Sequence, residues 1–135
     1  MYSPWEGSSG ASLAELEYLK TMITNLSDSL PYETVDTIKL DDFCNKNSID
    51  KIDFLKLDIE GFELLALKGA YQMIMNKKIN FIQIEISSAS ITTKSMLFDF
   101  WKMLNELYYF YLILNQGLIE IKEYKLVVCQ ISICG

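Results

Sequence analysis

The sequence contains no histidine. That absence removes the Ser-His-Asp triad, the Cys-His dyad and the commonest zinc ligand together. Basic residues are scarce as well. There are 12 against 18 acidic ones, a net charge of −6, which argues against a nucleic-acid partner. With 2 prolines and 6 glycines in 135 residues, the chain is neither collagen-like nor of low complexity. Cys44, Cys129 and Cys134 are an odd number without close spacing. They fit free buried thiols in a reducing compartment better than a disulfide, and alone they build no metal site. The longest uncharged run, residues 107–119, falls short of the roughly 18 residues that indicate a membrane span. The first residues have neither the basic nor the apolar stretch of a targeting signal, so the expected location is cytoplasmic.

What is present is hydrophobic. Half the residues are apolar and 22% are charged, which excludes a disordered chain, and the length suits one domain. Ser12-Leu13-Ala14-Glu15 fits a capping box, and Leu13, Leu16, Leu19, Ile23 and Leu26 then mark one apolar helix face. Residues 35–40 alternate apolar and polar, predicting a strand. Asp41 and Asp42 can cap a short helix reaching about Asn47, since carboxylates suit a helix N-terminus. Strands are predicted over 54–59 and 81–86, with helices over 64–75 and 95–107 and β-rich runs over 109–114 and 126–133. Strands separated by helical crossovers imply a parallel α/β sheet.

The informative stretch is Leu40-Asp41-Asp42-Phe43, then Asp53-Phe54-Leu55-Lys56-Leu57-Asp58-Ile59-Glu60-Gly61-Phe62-Glu63, then Leu67-Lys68-Gly69-Ala70. A hydrophobic strand ends in Asp58, and Glu60 and Gly61 follow before a helix. In open α/β sheets the ligand crevice lies at the carboxyl ends of the strands, which is where this places Asp58 and Glu60. Lys56 and Asp58 share one strand face, and so do Gln83 and Glu85. If the two strands are parallel neighbours in register, four polar groups converge at one end of the sheet. A lysine on a buried strand needs a partner, either Asp58 or Glu85. Such a pair can be purely structural or part of a site. Asp41 is open to two readings, a helix cap or a lining of a cofactor site. Glu63 reads as a solvated helix residue or as a further functional acid.

These segments resemble the FkbM family of S-adenosylmethionine-dependent methyltransferases, whose pattern is LDxF, then DfLKiDxEGxE, then LKGA, then a strand of the form iqxE. Ile82-Gln83-Ile84-Glu85 supplies the last element here, and similarity extends through Phe98-Asp99-Phe100-Trp101 to Gly117-Leu118-Ile119 and Tyr124. The resemblance implies a Rossmann-like α/β sheet and S-adenosylmethionine as cofactor. It implies methyl transfer to a hydroxyl or amine of a small acceptor, such as a sugar or other hydroxylated compound. It makes Asp58, Glu60, Glu85 and Lys56 the candidate catalytic group and Asp41 and Asp58 candidate cofactor contacts.

Two departures stand beside it. Glycines at 7, 10, 61, 69, 117 and 135 form no cluster of the kind that cradles such a cofactor, and no acid ending an earlier strand stands ready for its ribose. Lys94 stands where relatives carry arginine, and lysine lacks a bidentate fork. Residues 1–135 are therefore expected to be one partial domain, the later strands and helices of a sheet truncated at its N-terminal side, inactive by itself. The alternative is a non-catalytic remnant or interaction module that binds no S-adenosylmethionine by itself. Either way, residues 54–59 should present an exposed sheet edge through which the chain self-associates.

Overall fold

Two apolar strands with matched polar alternation lie side by side. In the computed structural model, which describes residues 33–124, Ile52–Leu57 (β1) pairs in parallel with Ile79–Ile84 (β2). The register sets Phe54 beside Phe81, Leu55 beside Ile82, Lys56 beside Gln83 and Leu57 beside Ile84. Leu55, Leu57, Ile82 and Ile84 turn one face of the pair toward the core. Phe54 and Phe81 turn the other way and stay 58% and 67% exposed. The parallel arrangement requires a crossover, supplied by helices Glu63–Gly69 (α2) and Tyr71–Met75 (α3). Leu67, Ala70, Met73 and Ile74 from this crossover are buried, together with Cys44 of helix Leu40–Lys46 (α1) and with Phe100 and Leu104.

After β2 come the short helix Ala89–Thr93 (α4) and the amphipathic helix Leu97–Leu104 (α5). Phe110–Leu114 (β3) and Gly117–Ile121 (β4) then form an antiparallel hairpin that is a separate two-stranded sheet. Trp101 joins it to α5, its ring 4.9 Å from that of Phe110. The Tyr108 hydroxyl donates to the Ile79 carbonyl at 2.9 Å and ties the lead-in of the hairpin to β2. The architecture is mixed α/β with small sheets.

Several expectations from sequence are corrected here. Residues 33–39 form no strand, and Val35 and Ile38 are exposed. Alternation reports side-chain pattern, whereas a strand also needs a hydrogen-bonded neighbour, and among the described residues none pairs with this segment. The single helix expected over 64–75 is two, interrupted at Ala70 (φ −106°, ψ 15°). Both strands begin and end two residues earlier than expected, so Asp58 and Glu85 stand just past them. The β-rich run expected over 109–114 is a strand of an antiparallel hairpin separate from the parallel pair, and its partner over 117–121 is a strand that the sequence reading does not include. The helix expected over 12–26 and the strand expected over 126–133 lie outside the described residues.

Asp41 does not cap its own helix. Lys39 occupies that N-cap, with no side-chain hydrogen bond. The Gln72 and Met73 backbone N–H groups donate instead to Asp41 Oδ2 and Oδ1 at 2.8 and 3.0 Å. These are free amides in the first turn of α3, which Asp41 caps from another part of the chain. Gly69 stands close by, and a Cβ there would lie 3.5 Å from Lys39 Cα. The Leu40-Asp41-Asp42-Phe43 and Leu67-Lys68-Gly69-Ala70 segments, distant in sequence, are two sides of one joint.

Candidate functional site

The carboxyl ends of β1 and β2 carry the acids. The Glu85 N–H donates to the Leu57 carbonyl at 3.0 Å, which extends the ladder and brings Glu85 beside the start of the β1 turn. Lys56 Nζ donates to Asp58 Oδ2 at 2.9 Å, with both side chains about half exposed. Asp58 is therefore the lysine's partner, and Lys56 is more exposed than a strand interior would have made it. The hydrogen bond to Asp58, then its charge, raise the Lys56 pKa above the ordinary lysine value, with Glu85 adding a smaller electrostatic contribution. A raised lysine pKa favours the folded state below the ordinary lysine value, and that contribution disappears as pH climbs through the raised one. Lys56 is consequently a cation throughout the neutral range.

The turn itself is tightly made. Glu60 and Gly61 both have positive φ, 51° and 96°. Such a bend is natural for glycine and uncommon for glutamate. Gly61 is obligatory for a second reason, because a Cβ there would meet the Ala89 carbonyl oxygen at 2.8 Å and Thr93 Cγ2 at 3.0 Å. The turn is thus packed directly on α4. On its other flank the Ser87 hydroxyl donates to Glu60 Oε2 at 3.5 Å, linking the tips of the two strands.

Glu63 holds this turn closed. It is 1% exposed, so the solvated reading is corrected. Its Oε1 accepts the N–H groups of Ile59 at 3.0 Å and Gly61 at 3.2 Å. A carboxylate in the first turn of α2 thus binds the amides of the bend before it, which suits the positive end of the helix. Its other oxygen, Oε2, is buried with no partner among the described residues. The motif spacing Glu60-Gly61-Phe62-Glu63 was the available signal for this role. Ser87 carried no such signal.

The structure therefore brings Lys56, Asp58, Glu60 and Glu85 to one end of the parallel pair. It places Asp41 elsewhere, against α3, with both carboxylate oxygens engaged. Next to the turn, a cavity of about 390 Å³ opens between α2 and the α4–α5 connection, bordered by Gly61, Lys68, Thr93 and Lys94 among others. Among the described residues no cluster of His, Cys, Asp or Glu is arranged to hold a metal ion, and no helix is long and apolar enough to cross a membrane.

Residues 3–111 match the family described as the methyltransferase FkbM domain. The chain belongs to that family. No curated protein and no solved structure gives a significant match.

The family implies S-adenosylmethionine, and the described glycines test that group. Gly61 has its Cβ direction filled by Ala89 and Thr93, Gly69 packs on Lys39, and Gly117 has nothing within 4 Å in the corresponding direction. None of them forms the close backbone cradle that such a cofactor needs. The described residues by themselves do not fit the methyl donor.

Proposed function

We propose that the chain takes part in S-adenosylmethionine-dependent methyl transfer to a hydroxyl or amine of a small acceptor, on a Rossmann-like sheet in which β1 and β2 are neighbouring strands. The observation that carries this reading is the acidic turn. The family's Asp58-Ile59-Glu60-Gly61 stands directly after a parallel strand, where α/β folds bind ligands. An acceptor hydroxyl must lose its proton as it is methylated, and a positioned carboxylate is suited to take it. Asp58 has that role in our reading, at the boundary between acceptor and cofactor edge. Lys56 holds it in place through their hydrogen bond. Glu60, steadied by Ser87, and Glu85 on the next strand support it. No step at the donor is assigned to these residues.

The test has two parts. Calorimetry of S-adenosylmethionine with the full chain is expected to show weak binding or none, outside the micromolar range, because none of the described glycines forms a cradle and the sequence has no clustered glycine motif. Any release of S-adenosylhomocysteine at millimolar donor with small hydroxylated acceptors should proceed at a rate set by Asp58. Asp58→Asn should lower that rate by about 100-fold or more. The fold should be little affected, since the ion pair is half exposed. An unchanged rate in the variant would remove Asp58 from the reaction.

A second reading, a non-catalytic module that assembles with copies of itself, is favoured by one observation. Phe54 and Phe81 lie side by side and exposed, and β1 has no described partner on its outer edge. Sedimentation at micromolar concentration should then show a dimer that Phe54→Lys dissociates. A monomer at those concentrations would dispose of this reading.

A further inference from the structure

In a chain of net charge −6, the space beside the acidic turn is lined by lysine. The 390 Å³ cavity has Lys68 on the α2 side and Lys94 on the α4–α5 connection. A neighbouring cavity of about 250 Å³ shares Lys68 and Asp99 and adds Lys102. Three cations thus face one carboxylate. Asp99 Oδ2 accepts the Met96 N–H at 3.0 Å at the start of α5, and its single charge offsets only part of theirs. Lys102 stands over the Phe98 ring, 5.7 Å from its centre. Neither Lys68 nor Lys94 has a salt bridge among the described residues.

Lys94 stands at the turn that closes α4. Its backbone is left-handed, φ 56° and ψ 37°, at the end of α4. Glycine is the usual residue at such a position, and a side chain there costs roughly 1 kcal/mol. Ser48 and Lys77 adopt a similarly positive φ just after other helices. Beside Lys94, the hydroxyls of Thr93 and Ser95 lie 3.3 Å apart at the same wall. Phe62, Leu64 and Leu65 supply an apolar wall opposite. The volume lies within the roughly 300–1,000 Å³ range of small-molecule sites.

We propose that this cavity is an oxyanion site, taking the carboxylate or phosphate of an acceptor whose apolar body lies on Phe62 and Leu64. That the bound molecule is the methyl acceptor rests on the function proposed above; the anion site itself does not. The cavity begins at Gly61, the residue after Glu60, so a molecule held by Lys68 and Lys94 lies alongside the acidic turn. The lysines attract its charged end, and the acids of the turn repel that end. The molecule is thereby oriented with its neutral end toward Gly61 and the turn before it, since Asp58 and Glu60 do not themselves line the cavity.

The full chain, labelled for amide NMR at low salt, should be titrated with inorganic phosphate and separately with acetate. Saturable shifts are expected within residues 61–68 and 93–99. Lys68→Ala/Lys94→Ala, two exposed positions, should weaken binding roughly 5- to 10-fold, while Lys122→Ala leaves it unchanged. Tighter binding of phosphate would point to a phosphorylated acceptor, and tighter binding of acetate to an acidic one. No saturable response to either anion, or an equal response in the double variant, would overturn the proposal. The titration needs no methyl donor, so anion binding without methyl transfer would defeat only the functional reading. Methyl transfer without anion binding would defeat only this one.

Discussion

Gly61→Ala is expected to destabilise the protein by about 3 kcal/mol, among the largest effects of any single substitution outside the core. Two costs combine. The backbone at φ 96° disfavours any side chain. The new methyl group would also stand 2.8 Å from the Ala89 carbonyl oxygen, a backbone atom that can give way only if α4 moves. Gly117→Ala is the internal control. It shares a positive φ, 129°, but faces open space, so it should cost only about 1 kcal/mol. Urea denaturation of the two variants measures the difference. Equal losses would mean that α4 does not press on the turn.

Glu63→Ala should cost a similar amount, about 2–4 kcal/mol, by a different route. The carboxylate is buried and accepts two backbone amides. Its removal leaves Ile59 and Gly61 N–H groups without an acceptor, and each such loss is worth about 1–3 kcal/mol. Glu63→Gln keeps one acceptor oxygen and should recover part of the loss. Because Gly61 donates to Glu63, the two substitutions act on one turn and should not add in a double variant. Full additivity, or a loss below 1 kcal/mol for Glu63→Ala, would show that the turn holds without this carboxylate.

The parallel pair was legible because two strands carried the same alternation. Lys56 stands beside Gln83 as their shared parity required, and the helical crossover left no antiparallel option. Glu63 was not legible, since an acid in the first turn of a helix looks the same whether it meets water or the preceding bend. Residues 35–40 misled for a related reason: alternation describes a surface, and among the described residues no strand pairs with this segment. Gly69 is the last residue of α2, directly before the interruption at Ala70, whereas the apolar spacing on either side predicts one continuous helix. The lysines around the cavity are invisible in one dimension. Lys68 of α2 and Lys94 of the α4–α5 connection converge only when the turn at Gly61 packs on α4.

The reach of Asp41 across 31 residues to Gln72 also sets an order of events. A five-residue helix such as α3 cannot sustain itself in water, because nucleation costs more than so few hydrogen bonds return. Its first amides find their acceptor only after α1 has docked, a closure that spans β1 and α2. Formation of α3 is then a late, all-or-none step in folding, reporting tertiary assembly instead of local propensity. During refolding, amide protection at Gln72 and Met73 should appear together with that of the core and not ahead of it.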